Sequence, residues 1–443
     1  MPKSVVIIGG GVIGLCSAYY AAKAGHEVTL IERGAADHDS CAHGSAGMIT
    51  PSHFVPLAAP GMVALGLKWM FNPESPFYVR PRFDRELVNW GWKFFRSANA
   101  AQVEKASPLL RDLNIASRAL FEELDVGAPI SGSARSHAGA ARPDLEIGAP
   151  MADFGLVKRG LLMLCKSAHT FEEEARFADK ANKLGVPAQV LDAKQAAALD
   201  PGMRMDIAGA IYFPKDCHLT PSRFMSALQS QCEKLGVKFK WNTEVTSFTP
   251  HAPRPTPRLA AIRTTTGDIE ADEFVICGGS WSPLLTRELG LRIPMQAGKG
   301  YSLTLPKPRQ LPQICSILTE ARVAVTPMGS SLRFGGTMEI GGLNHDINPA
   351  RVRGIIKSAV RYYPEFIESD FDDVKPWCGL RPCSPDGLPY LGRTARYSNL
   401  TIATGHAMMG LSLGPITGKL VAELLDGQHP SHDLSLLGPD RYG

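Results

Sequence analysis

The chain opens on an apolar strand, Val5-Val6-Ile7-Ile8, that runs straight into Gly9-Gly10-Gly11-Val12-Ile13-Gly14. This Gly-x-Gly-x-x-Gly pattern leads into a helical stretch, Ala18 to Gly25, and then a second apolar run, Glu27 to Ile31, ending at Glu32. Each part has a mechanical reason. Gly9 permits the tight turn out of the strand, Gly11 lets backbone approach a pyrophosphate, and Gly14 lets the helix pack on the sheet. The pyrophosphate would rest on the helix N-terminus, where free N–H groups and the dipole favour an anion. Val12 and Ile13 belong to that first turn, and Arg33 follows the acid, so all three join the candidate contacts. Glu32 is placed to accept hydrogen bonds from a ribose 2′-hydroxyl. An acid there disfavours a 2′-phosphate, so the unit points to dinucleotide binding of the NAD or FAD kind.

Bulk properties narrow the class further. At 443 residues the chain exceeds what one core usually serves, and two domains are expected. The 47 basic and 43 acidic residues leave a net charge of +4, which gives no support to a nucleic-acid partner. No apolar stretch approaches the roughly 20 residues that span a bilayer, and the N-terminal apolar run ends in glycines without a cleavage-type site. Nine scattered cysteines without a Cys-x-x-Cys fit reduced thiols better than a disulfide framework, and lower the case for a disulfide reductase. The expected location is the cytoplasm, with peripheral contact at the inner membrane left open.

Along the chain, residues 3 to 33 form a βαβ unit and 34 to 61 read as loop. Helical patterns cover 83–97, 102–124, 169–184 and 193–199, and one over 221–235 starts at Thr220-Pro221, with Thr as cap. Ser131 to Ala141 has no apolar period and reads as an exposed loop or disorder. Gly160 to Cys165 looks like a buried strand; Val237 to Trp241, Glu244 to Phe248 and Ile269 to Cys277 also read as strands. His251 to Arg258, with three prolines, marks a surface hairpin loop. Residues 293 to 340 alternate in short runs, as an antiparallel sheet does. The expected fold is α/β: a Rossmann-type cofactor domain with an inserted α+β substrate domain built on an antiparallel sheet. The cofactor domain would be discontinuous (1–90, 200–292 and 376–443), and 91–199 with 293–375 would form the substrate domain.

Four further segments carry chemistry. His43-Gly44-Ser45-Ala46-Gly47-Met48 offers small residues and a hydroxyl where a flat ring or a ribityl chain would pass. Phe274 to Ser282 is a second buried strand into a glycine turn, and adds Cys277, Gly278, Gly279 and Trp281; Val245 is a further candidate. Arg381 sits in a Pro-rich turn, Gly379-Leu380-Arg381-Pro382, suited to hold a guanidinium fork against a carboxylate. Ala403 to Pro415 is another glycine turn into a helix, with Gly405, His406, Met409, Gly410 and Leu411 as candidates. Each also has a bland reading: surface turn, core aromatic, surface ion pair or structural histidine. Together, four glycine turns spread over the chain suggest a long cofactor touched from both chain ends, which favours FAD over NAD.

These segments, with Lys299-Gly300-Tyr301-Ser302-Leu303-Thr304 and Asp386-Gly387, resemble the flavin-dependent amine oxidoreductases of the D-amino acid oxidase and glycine oxidase family. Within it the chain looks most like bacterial D-amino acid dehydrogenases, including those acting on D-hydroxyproline. The resemblance covers almost the full length and keeps the motif order. It implies non-covalent FAD and hydride transfer from the substrate α-carbon to flavin N5, giving an imino acid and then a 2-oxo acid. It matches Arg381 to the family's carboxylate-binding arginine. It places Tyr301 where a phenol contacts the carboxylate or roofs the ring, and His53 lines the pocket. Met408 stands where glycine oxidases carry a second arginine, which weakens glycine oxidase itself and suggests a more apolar pocket. Cys378 lies near where sarcosine-oxidase relatives link their flavin. The substrate side chain and the electron acceptor (quinone, oxygen or carrier protein) stay open, as do cyclic or secondary amines such as cis-4-hydroxy-D-proline or sarcosine. Other classes also stand: an NAD-linked dehydrogenase, a flavin subunit of a multichain dehydrogenase, or a tRNA-modifying flavoenzyme.

Overall fold

The computed structural model describes residues 1–126, 151–251 and 257–443. The Ser131–Ala141 stretch and the tip of the Pro-rich hairpin lie outside the described residues. Two sheets organise the chain. β1 (Ser4–Ile8), α1 (Val12–Lys23) and β2 (Glu27–Ile31) form the expected βαβ unit, with β1 and β2 parallel in register from Ser4↔Glu27 to Ile8↔Ile31. β1 lies inside a six-stranded sheet, between β2 and Glu273–Ile276, with Leu400–Thr404 next along; all these pair parallel. Only the edge strand Tyr390–Arg393 runs antiparallel.

Alternation along β1 decides the layers. Val5 and Ile7 face Leu15, Cys16, Phe224 and Leu420 on the helical side. Val6 and Ile8 face Val245, Leu259 and Ile262 in a three-stranded antiparallel sheet. Burial on both faces is why β1 reads as an unbroken apolar run. The last helix, Gly414–Leu425, packs across α1, so the two chain ends share one layer. Thr220 takes the N-cap position of the helix Pro221–Lys234, but its hydroxyl makes no cap bond.

The second sheet has nine strands and is mixed. Gln296–Leu305, Ser331–Ile340, Val323–Met328 and Cys315–Leu318 supply the expected antiparallel run over 293–340. Leu161–Cys165 and Phe77–Val79 add themselves in parallel. Sheet membership does not follow the boundaries expected from sequence. Phe77–Val79, Gly209–Phe213 and Trp377–Cys383 belong to this sheet, although all three lie in segments given to the cofactor domain. Conversely, the helix Ala100–Val126 sends Leu110, Leu113 and Phe121 into the core beneath β1. Ile269 to Cys277 is also two strands, Gly267–Glu270 and Glu273–Ile276, in different sheets. The break falls at Asp272, whose carboxylate accepts from the Ser4 amide and hydroxyl, both at 2.8 Å, and ties the turn to the start of β1.

Candidate active site

A cavity of about 2080 Å3 is walled by the carboxyl ends of the parallel strands on one side and by the mixed sheet on the other. A pocket for one drug-sized ligand spans ~300–1,000 Å3, so this one has room for a long molecule and a second, smaller one. Every candidate residue named from the sequence lines it except Gly14 and Gly405.

At one end the glycine turn divides its labour. Gly9 has φ +114°, and a Cβ there would lie 2.5 Å from the Cys277 carbonyl oxygen. Gly14 faces away from the cavity; a Cβ on it would meet Gly9 O at 1.8 Å, so it serves the packing of α1 on β1. Gly11 meets nothing within 4 Å. It is the N-cap of α1 and makes no side-chain cap bond, which leaves first-turn N–H groups for an incoming anion. Glu32 is held from two sides: Oε2 accepts from Gly10 N at 2.7 Å and Oε1 from Gly34 N at 2.9 Å. Each carboxylate oxygen keeps lone pairs for a further donor. The Arg33 guanidinium lies 4.0 Å above the Trp281 ring, so that face of the indole is already covered.

The loop His43–Met48 is fixed by a residue that sequence reading missed. Half-buried Arg333 donates from Nη1 to the carbonyls of His43 (2.9 Å) and Ser45 (2.8 Å), and from Nε to Thr304 Oγ1. Burial lowers its pKa to about 10, which still leaves it charged. The available signal is a lone charge in the strand Ser331-Leu332-Arg333-Phe334. At the other chain end, the fully buried His406 ring bonds Thr417 Oγ1 through Nε2 at 3.0 Å, while its Nδ1 has no partner among the described residues. Burial pulls its pKa to about 3, so the ring is neutral. Gly405 (φ +81°) makes the turn against Tyr390 and stays out of the cavity.

Arg381 is placed by its neighbours in the mixed sheet. It lies on Trp377–Cys383, which pairs with Gln296–Leu305 so that Gly298 opposes Arg381 and Gly300 opposes Gly379. The guanidinium folds over Gly300; a Cβ there would come within 2.1 Å of Nη2. Nη1 donates to the carbonyl of Thr337. Thr337 sits in a register shift of Ser331–Ile340 and has φ +71°, an expensive conformation for a β-branched residue. That bulge aims its carbonyl at Arg381.

Tyr301 departs from expectation. Its hydroxyl donates to Glu339 Oε2 at 2.8 Å, and the amide of Asn348 donates to it at 3.3 Å. Side chains alternate along a strand, so Tyr301 leaves the face on which Gly300 makes room for Arg381, and the ring joins the apolar cluster behind the sheet. The phenol is thus engaged with Glu339, although Tyr301 also borders the cavity. His53 does line the cavity, with Nδ1 2.9 Å from Ser52 Oγ. Met408 is exposed at the cavity wall, and the Cys378 thiol is pushed up by burial.

An open backbone at Gly11, an uncapped helix start, a carboxylate with spare acceptors and an orphaned buried imidazole nitrogen together suit a long dinucleotide with a ribose at one end and a polar ring at the other. Residues 4–424 match the family model described as FAD dependent oxidoreductase. The chain belongs to that family. Among members of the FAD-dependent oxidoreductases, it is 33% identical to the D-amino acid dehydrogenase of Paramagnetospirillum magneticum, covering 99% of this chain and 98% of that one. It is also 33% identical to the D-amino acid dehydrogenase of Agrobacterium fabrum, over 99% of each. In three dimensions it resembles glycine oxidase from Geobacillus kaustophilus, with a TM-score of 0.74, 25% identity, and coverage of 100% of this chain and 99% of that one. L-proline dehydrogenase from P. horikoshii shares the fold, with a TM-score of 0.67 at 18% identity. The cofactor is FAD, as expected, and the fold is the Rossmann-type α/β arrangement with its inserted domain.

Proposed function

We propose that this chain oxidises D-amino acids to imino acids, which water converts to 2-oxo acids. The observation that carries the reading is Arg381, a half-buried guanidinium held over Gly300 by the Thr337 carbonyl and facing the cavity that would hold FAD. Gly11, Glu32, the His43–Met48 loop, Gly278 and His406 would hold the cofactor. When bound, FAD supplies the acceptor for the hydride from the substrate α-carbon. The protein's own part is orientation: Arg381 pairs with the substrate carboxylate through its fork and so fixes which hydrogen faces the ring. Relatives named D-amino acid dehydrogenase over the full length support the D-isomer. Met408, an exposed apolar side chain at the cavity wall, supports a neutral substrate side chain.

The rim bears on the acceptor. Leu67 and Phe95 line the cavity and are exposed, as are Val88 and Trp92 on the helix Arg85–Ser97 and Phe71, the C-cap of the helix Met62–Met70. Such an apolar rim supports a quinone at a membrane surface as the acceptor. No helix among the described residues is long and apolar enough to cross a membrane. The test is product formation by the purified flavoprotein with a soluble quinone as acceptor. The substrates are neutral, acidic and basic D-amino acids, their L-isomers, cis-4-hydroxy-D-proline, sarcosine and glycine. The expected result is 2-oxo acid and ammonia from neutral D-amino acids. Turnover confined to L-isomers or to sarcosine would overturn the reading, and turnover of the cyclic amine alone would move it to secondary amines.

A further inference from the structure

His53 stands at the end of a buried hydrogen-bond chain that the orienting role of Arg381 leaves unused. The Ser52 amide donates to Asp216 Oδ1 at 3.1 Å, and Ser52 Oγ donates to Asp216 Oδ2 at 2.5 Å. His53 Nδ1 lies 2.9 Å from the same Oγ. Asp216 is fully buried and Ser52 nearly so, while Ser52 and His53 both line the cavity. Nε2 of His53 bonds no other described residue.

A serine hydroxyl carries one proton, and that decides the tautomer of the ring. With Asp216 ionised, the proton points to the carboxylate. Oγ can then only accept, so His53 must donate from Nδ1, and Nε2 is left as a bare lone pair. With Asp216 protonated, its O–H donates to Oγ, and Oγ–H donates to Nδ1. The single proton of the neutral ring then sits on Nε2. One proton on a buried carboxyl thus selects whether His53 offers the cavity an acceptor or a donor.

We propose that Asp216 is a positioning residue that acts through Ser52 to hold His53 with Nε2 bare, so that Nε2 receives the proton of the substrate ammonium. This rests on the amino-acid reading above. In that step the substrate N–H bond breaks and an Nε2–H bond forms; no electrons change hands. The substrate nitrogen keeps its lone pair, the form from which the α-carbon can be oxidised. The imidazolium keeps its Nδ1–H on Ser52, its charge is answered by the Asp216 carboxylate, and the proton later leaves to water through the cavity.

Asp216 faces Arg118 from the helix Ala100–Val126 and the thiols of Cys217 and Cys315. Burial, the dominant influence, raises Asp216 to about 7 against the opposing pull of Ser52 and Arg118. His53 faces Arg322 at the turn into Val323–Met328; burial first, and then that charge, lowers it to about 4. The same guanidinium disfavours a cation on the ammonium and on the imidazolium alike, so the proton taken up at Nε2 passes readily to water. His53 is neutral at neutral pH, and the group that titrates there is Asp216.

Two readouts test the relay. In the flavin-loaded protein, 15N NMR of the His53 ring, assigned by comparison with His53→Gln, should change from the Nε2–H to the Nδ1–H tautomer as pH rises through about 7. Over the same range kcat/KM for the amino acid should rise. Ser52→Ala should lose both the tautomer change and the inflection and lower kcat/KM by roughly 10²-fold, the lower range for general base catalysis. Ser52→Thr, which keeps the hydroxyl, should restore them, and Asp216→Asn should fix one tautomer at all pH values. A tautomer that ignores pH in the wild type, or a Ser52→Ala protein that keeps the inflection, would overturn the relay. If no amino acid reduces the flavin, the substrate reading fails, and the NMR result still decides whether Asp216 governs His53.

Discussion

Arg381→Leu raises KM for the amino acid by about 30- to 4,000-fold, while FAD content and fold stay as they are. The size follows from the cost of removing one partner of a desolvated ion pair, about 2–5 kcal/mol, at roughly 1.4 kcal/mol per tenfold. The fold should tolerate the change, because among the described residues the guanidinium bonds only the Thr337 carbonyl and otherwise faces the cavity. The bulge at Thr337 is built for that bond, since a β-branched residue at φ +71° persists only where its surroundings hold it. A gentler variant separates charge from place. Gly300→Ala keeps the arginine but puts a methyl where Nη2 now lies, and should raise KM about tenfold with the charge intact. Steady-state kinetics of both proteins decide the matter; an unchanged KM in Arg381→Leu would remove the residue from substrate binding.

Two alanine substitutions one helical turn apart should have opposite consequences. Gly11→Ala has room for its methyl and a φ of −72° that alanine adopts freely, so thermal stability of the apoprotein should move by less than ~0.5 kcal/mol. That room is where the pyrophosphate would approach, and FAD affinity should fall about 100-fold, or about 2.7 kcal/mol. Gly14→Ala forces a methyl to 1.8 Å from the Gly9 carbonyl oxygen and should destabilise the fold by about 1–3 kcal/mol. Thermal unfolding of the apoprotein and fluorescence titration with FAD separate the two. Full FAD affinity in Gly11→Ala would place the pyrophosphate elsewhere.

The parts of this molecule that could be read in advance are those whose physics is local. The turn from β1 into α1 and the reach to Glu32 lie within one contiguous unit, so spacing alone specifies them. Arg381 stood out as the one charge between Gly379 and Pro382, although its segment, Trp377–Cys383, is a strand and not the turn expected. The partner of the Tyr301 hydroxyl, Glu339, was not foreseen, although Gly300 and Tyr301 are adjacent on one strand and must face opposite ways. What was not legible depends on pairing across long stretches of chain. Ser52 and Asp216 are 164 residues apart, and nothing near either announces the other. Arg333 reaches the His43 carbonyl over 290 residues. The strand Phe77–Val79 joins the mixed sheet only through Met338 to Ile340, and a division drawn from local composition could not foresee that.

On the function proposed above, the cavity seats a D-amino acid by its carboxylate beside a bound flavin. The most direct test is anaerobic mixing of the flavoprotein with the D- and L-isomers of one neutral amino acid, following loss of the visible flavin band in a single turnover. The account predicts stoichiometric bleaching by the D-isomer and none by the L-isomer, with the D-isomer's saturation shifted far upward in Arg381→Leu. Bleaching by the L-isomer alone, or a D-isomer response that ignores Arg381, would contradict it.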